Sequence, residues 1–126
     1  MTVGPKMTED QEQQALAAWL DAKGLLWCHV PNGGSRNVRE AAKLKRMGVK
    51  PGVPDVLIFE RPHQSKGRLP FAKHGVAIEL KRADGGPSDV RDSQRRWLDA
   101  LYDRGWLCKV AFGADDAIVW LESLGY

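Results

Sequence analysis

Residues 75–84 read GVAIELKRAD. Val76, Ala77, Ile78 and Leu80 have the character of a short buried strand, and Glu79 and Lys81 interrupt it. Alternate side chains of a strand share a face, so an acid and a base stand on one face roughly 6–7 Å apart. Holding two charges against a core is costly unless they pair with each other or bind something else. This strand therefore carries either a salt bridge or a function.

Working outward, Asp55–Phe59 reads as the preceding strand, entered through GVKPGVPDVLIF (48–59), where two turn signals deliver an acid to the strand's first position. The connection ERPHQSKGRLPFAKHG (60–75) is long for a hairpin and cationic, and connections of that kind more often serve function than structure. Near the N-terminus Thr8-x-x-Gln11 is a capping box with Glu9 and Asp10 at the positive end of the helix it opens, and Lys23-Gly24 closes that helix. Its apolar stripe runs through Ala15, Leu16, Trp19 and Leu20, and one turn earlier the stripe meets Glu12. Leu25–Val30 is a strand ended by PNGG. Asn37-x-x-Glu40 caps a second helix of about three turns that Gly48 closes. Arg36, Arg39, Lys43 and Arg46 line one side of it.

After the central strand, Ser88 is the candidate cap of a third helix that runs to Arg104 and stops at Gly105. Its inward stripe reads Val90, Gln94, Trp97, Leu98 and Leu101, which makes Trp97 a core residue and Gln94 a polar exception. Trp106–Phe112 is a fourth strand and Asp115–Leu124 a closing helix. The order α-β-α-β-β-α-β-α predicts an α/β fold, a mixed central sheet flanked by helices. Residues 1–126 read as one domain, with residues 1–7 expected to be flexible.

Composition sets the outer limits. With 126 residues, 43% hydrophobic and 28% charged, the chain is an ordinary globular protein. It has no apolar run of the length a membrane span needs, and the polar, acidic N-terminus is not a signal peptide. Cys28 and Cys108 lie apart in apolar runs, as buried free thiols of an intracellular protein would. The net charge of +3 hides an asymmetry: residues 31–82 hold 12 Lys/Arg against 4 Asp/Glu, and the remainder 7 against 12. So basic a middle favours a polyanion, with nucleic acid first, although a solvated surface has the same composition.

Glu12, Asp55, Glu79, Lys81 and Gln94 are thus polar exceptions on five positions expected to face inward. Singly each has a plain explanation: a cap, a turn, a buried carbonyl, a salt bridge. Together they suit metal-assisted hydrolysis of a phosphodiester. Mg²⁺ takes hard oxygen ligands from one or two carboxylates, waters and substrate phosphate. Asp55 and Glu79 are the expected carboxylates, with Glu12 adding a third directly or through water. Lys81 would orient the attacking water, take its proton, or stabilise the charge that develops on phosphorus.

Gly52-Val53-Pro54-Asp55 followed by Glu79-Leu80-Lys81 resembles the signature of the PD-(D/E)xK nucleases. The wider text, PNGGSR at 31–36, GVKPGVPDVLIF, IELKRADGGPSDVRDSQRRWLDALYDRGW and FGADDAIVWL, is similar to the VRR-NUC domain from about residue 8 to 124. That resemblance implies a restriction-endonuclease-like core, a divalent metal (Mg²⁺ or Mn²⁺), and cleavage leaving 5′-phosphate and 3′-hydroxyl ends. It carries the catalytic role to Asp55, Glu79 and Lys81 and a metal contact to the Leu80 carbonyl. It matches Glu12 to the acid of the first helix, with Glu9 as competitor, and Gln94 to a glutamine that meets either metal water or DNA. It further implies a homodimer cutting branched DNA such as a four-way junction, a two-fold protein for a substrate with two equivalent strands. Arg36, Arg39, Lys43 and Arg46, with Lys66, Arg68 and Lys73 of the long connection, are expected to hold phosphates without reading bases. Asn32, beside Gly33 and Gly34, either lets the DNA backbone approach or simply makes a turn. Two rival readings keep the fold: a nuclease for linear, flap or nicked duplex, and a DNA-binding module without catalysis.

Overall fold

The computed structural model describes residues 6–32, 37–62 and 73–126. The elements follow the expected order: α1 (Glu9–Ala22), β1 (Trp27–His29), α2 (Val38–Arg46), β2 (Val56–Ile58), β3 (Val76–Lys81), α3 (Asp92–Asp103), β4 (Leu107–Phe112) and α4 (Ala114–Ser123). They form a four-stranded sheet in the order β1-β2-β3-β4, antiparallel across the first two pairings and parallel across the last. The parallel pair requires a crossover, and α3 supplies it.

Two of the helix starts are those the sequence announces. The Thr8 hydroxyl accepts from Gln11 N at 3.1 Å while Gln11 Oε1 accepts from Thr8 N at 2.9 Å. Asn37 Oδ1 accepts from Glu40 N at 2.7 Å. The third start differs from expectation. Ser88 lies in a short 3₁₀ turn, Pro87–Asp89, and α3 begins only after Arg91, whose backbone N–H donates to Gln94 Oε1 at 2.8 Å. Pro87 favours a turn at that point because it pre-sets φ, and the helix restarts where a glutamine three residues on can satisfy a free N–H.

The main core occupies one face of the sheet. Val56 and Ile58 of β2 and Val76, Ile78 and Leu80 of β3 pack with Leu16 and Leu20 of α1 and Ala117 and Leu121 of α4, all essentially inaccessible. Each of the valine, leucine and isoleucine side chains among them contributes about 1.5–3 kcal/mol of burial. The period of two sends Ala77, Glu79 and Lys81 to the opposite face, which α3 covers, with Val90 and Leu98 buried beneath it.

Three packing expectations need correction. Ala15 is exposed, so the inward face of α1 is Glu12, Leu16, Trp19 and Leu20. Cys28 is exposed because β1 is an edge strand with one side unpaired, although both cysteines are free thiols. Trp97 is only partly buried and stands outside the main cluster. Among the described residues no helix is long and apolar enough to cross a membrane.

Candidate active site

Asp55 is held from three directions. The β2–β3 pairing sets Val56 opposite Ile78, and one residue further this register brings Asp55 opposite Glu79 on the same face. The Asp55 carbonyl accepts from Val30 N at 2.8 Å and from His29 Nδ1 at 2.7 Å, which ties it to the end of β1. Its Oδ2 accepts from Leu80 N at 2.7 Å, which lays the carboxylate against β3. The preceding loop is equally fixed: Asn32 Nδ2 donates to Val53 O at 2.9 Å, and Gly52 presses against the first turn of α3. PGVPD is therefore a rigid delivery loop wedged between β1 and α3.

Glu79 is 2% exposed, and its Oε2 is buried with no hydrogen-bond partner among the described residues. The other oxygen lies 4.0 Å from Lys81 Nζ, itself 11% exposed. A surface salt bridge would turn Glu79 toward water, and the burial excludes that reading. Burial, with the Asp55 carboxylate alongside, pushes the Glu79 carboxyl from its ordinary 4.5 up to about 9, against the pull of Lys81. A buried carboxylate oxygen without a partner, beside a second carboxylate, is an arrangement that a hard cation would neutralise and satisfy. Two carboxylates and a backbone carbonyl are oxygen donors suited to Mg²⁺ or Mn²⁺.

The raised Glu79 value has a measurable consequence. Because the folded state holds this proton more tightly than the unfolded chain, the group's contribution to stability is complete below about pH 4.5. It is lost as pH rises through about 9. In chelator, Glu79→Gln should therefore melt several degrees above the parent at pH 8 and lose part of the parent's decline between pH 5 and 9. Thermal melts across that range check it, and a Gln variant that melts lower at pH 8 would contradict the burial of a protonated acid.

Glu9, Asn32, Asp55, Glu79, Lys81 and Arg91 line a cleft of about 270 Å³, closed on one side by the loop at Gly52 and on another by Ser93 and Gln94. His29, Asp55 and Leu80 line an adjoining hollow that Glu9 also borders. The structure thus brings together Asp55, Glu79, Leu80, Lys81, Gln94 and Asn32 of the expected set. Glu12 does not join them. It lies 5% exposed at the start of α4, where its Oε1 accepts from Ala114 N at 3.2 Å. The α4 cap residue is Gly113, which has no side chain to accept that bond, so Glu12 provides the acceptor and the negative charge the helix N-terminus favours. Glu9, three residues earlier, is the first-helix acid at the cleft. Among the described residues no three carboxylate, imidazole or thiol groups converge as a ready cation cage; Asp55 and Glu79 are the two carboxyl groups that face each other across β2 and β3.

Gln94 borders the cleft with its amide oxygen engaged by Arg91 N, leaving the amide NH₂ to meet a ligand. Of the expected phosphate contacts, Arg39, Lys43 and Arg46 lie on α2, a helix none of whose residues is buried. Lys73 sits at the opposite end of β3 from Lys81, its backbone N–H bonded to the Gly105 carbonyl at 2.9 Å. Arg36, Lys66 and Arg68 lie outside the described residues, as do Gly33 and Gly34. Arg91 and His29 are two site residues that sequence reasoning misses. The Arg91-x-x-Gln94 spacing is the available signal for Arg91, obscured by the stronger capping preference of Ser88. His29 depends on the β1–β2 register, which a three-residue strand does not reveal.

The family model for the VRR-NUC domain matches residues 7–115 of the chain. A solved structure described as a VRR_NUC domain protein is similar at 29% identity and a TM-score of 0.72, over 97% of this chain and 91% of the other. A search of curated proteins gives no match.

Proposed function

Since the chain belongs to the VRR-NUC family, which implies a nuclease of the PD-(D/E)xK type, we propose that it is a divalent-metal-dependent DNA endonuclease acting on branched DNA. The observation that carries this reading is the buried Glu79 carboxyl opposite the half-buried Asp55, with an unpartnered Glu79 oxygen and Lys81 beside it in an open cleft. Asp55, Glu79 and the Leu80 carbonyl would hold a Mg²⁺ or Mn²⁺ ion, with Glu9 reaching it through water. Such an ion neutralises phosphate charge and makes water a better nucleophile.

The chain's own groups do the rest. Lys81, fixed next to Glu79, orients the attacking water and balances the negative charge that grows on the phosphate oxygens. Arg91 and the Gln94 amide donate to the same phosphate from the α3 side. A bond forms from the water oxygen to phosphorus, the bond from phosphorus to the 3′ oxygen breaks, and the water's proton passes to that oxygen. The products are a 5′-phosphate and a 3′-hydroxyl. His29 and Asn32 act as positioning residues through the Asp55 carbonyl and the Val53 carbonyl.

Arg39, Lys43 and Arg46 recur at three- and four-residue spacing, so they form one cationic stripe on an exposed helix that holds the backbone without reading sequence. Shape then selects the substrate, and a homodimer would present two such sites to the two equivalent strands of a junction. Converting all three to glutamine should weaken DNA binding and flatten the slope of log K against log salt by up to about 2.7, roughly 0.9 for each phosphate no longer neutralised. An unchanged slope would remove α2 from the interface.

The functional test compares four-way junction, flap, nicked and linear duplexes at fixed salt, with Mg²⁺ and with chelator. Cutting only with the metal, and fastest on the junction, is the expected result. Equal rates on all four would remove branch selectivity, and cutting that ignores chelator would remove the metal. Solution mass with and without junction DNA tests the dimer.

A further inference from the structure

A second hollow, of about 520 Å³, runs along α3 next to the catalytic cleft, and Lys50, Pro51, Ser93, Arg96, Trp97 and Arg104 border it. Pro51 and Ser93 border the catalytic cleft as well, so the two hollows adjoin across the contact of the Pro51–Gly52 loop with α3. Residues 93, 96, 97, 100 and 104 recur at helical three- and four-residue spacing, which makes the hollow one face of α3, about 16 Å long at ~1.5 Å per residue. Trp97 lies in this face rather than in the main core, so an indole is presented where burial alone would have drawn it inward. Lys50, Arg96 and Arg104 stand around it, and among the described residues none of the three is ion-paired. Beyond Arg104 the chain turns at Gly105, whose carbonyl accepts from the backbone of Lys73, so a further cationic residue stands at that end.

An apolar, aromatic floor with a cationic rim fits one ligand chemistry closely: a polyanion that carries flat apolar rings. A base still paired in duplex has its faces covered by its neighbours, so only an unpaired base can lie on the indole. We propose that this hollow receives an unpaired stretch of the DNA whose backbone enters the catalytic cleft, with a base stacked on Trp97 and phosphates held by Lys50, Arg96 and Arg104. The assignment rests on the nuclease reading in taking DNA as the occupant of the cleft. It adds that the strand on the α3 side of the cut is unpaired in the bound state, which a junction reaches by opening base pairs at its branch point.

The test uses the full chain in chelator, so that no cleavage enters the measurement. Affinities are compared for an end-labelled thymidine oligonucleotide of about a dozen residues, an abasic oligonucleotide of the same length and charge, and a duplex. The parent should bind the thymidine strand roughly tenfold more tightly than the abasic one, the factor that stacking one base on an aromatic side chain provides. Trp97→Ala should lose that preference and Trp97→Phe keep most of it. Equal affinity of the parent for the two single strands overturns the proposal, and needs no variant to fold. So does a preference that survives in natively melting Trp97→Ala. Failure of the nuclease reading looks different: a chain that prefers thymidine strands as described and cuts no DNA with Mg²⁺ retains the single-strand site and loses only the catalytic assignment.

Discussion

Asp55→Asn should lower kcat/KM for DNA cleavage by at least about a thousandfold, some 4 kcal/mol of transition-state stabilisation, while leaving fold and DNA affinity nearly intact. The substitution is close to isosteric. An asparagine oxygen can still accept the Leu80 N–H that Asp55 Oδ2 accepts at 2.7 Å, and the backbone bonds from Val30 and His29 do not involve the side chain. What disappears is one of the two carboxyl groups opposed across β2 and β3 that a bound cation would hold ionised. A cation facing Glu79 alone would lose half its neutralising charge, and the phosphate would lose its anchor. Single-turnover cleavage together with equilibrium binding in chelator separates the two effects. A variant that binds and still cuts within about tenfold of the parent would show that the catalytic charge lies elsewhere.

Gly52→Ala is expected to damage both stability and activity, through backbone rather than charge. Gly52 has φ +88°, a conformation that L side chains adopt only under strain, and a Cβ there would lie 2.5 Å from the Ser93 carbonyl carbon and 2.6 Å from its oxygen. Neither is the end of a flexible side chain. The delivery loop and the first turn of α3 must separate, at a cost of about 3 kcal/mol or more. The same movement carries Asp55 away from Gln94 and Arg91, and displacement of about 1 Å in a catalytic group commonly costs a hundredfold in rate. Gly48 supplies the control: its φ is +107°, yet a Cβ there meets nothing within 4 Å. Gly48→Ala should cost about 1–2 kcal/mol and keep its activity. Melting temperatures and kcat of the two variants, measured side by side, check this, and equal behaviour of the pair would refute the close-packed loop.

The element order is legible in the sequence because alternation and capping boxes are local properties. The pattern places β3 and β4 to within a residue at each end, and period two sets Glu79 and Lys81 on one face, whereas Asp55 is singled out by the turns that deliver it to its strand and by the family resemblance. What fails depends on partners distant in the chain. Glu12 is inward on α1, as its spacing from Leu16 and Leu20 requires, but the inward direction there leads to the bare N-terminus of α4. Nothing in the local pattern distinguishes a buried carboxylate capping another helix from one facing a cleft. Trp97 illustrates the same limit. Its stripe predicts a covered face, and helical periodicity says nothing about whether sheet, solvent or a ligand covers it. Lys73 cannot be located from sequence at all, because a long connection has no period to read.

Joint ownership of one divalent cation by Asp55 and Glu79 is what the functional reading stands on. Calorimetric titration of Mn²⁺ into metal-stripped parent, Asp55→Asn and Glu79→Gln tests it without any cleavage assay. Saturable binding by the parent is expected, with at least a tenfold loss in each variant, the smallest loss expected when one of two carboxylate ligands is neutralised. Binding of equal strength in all three proteins, or no binding by the parent, would contradict it.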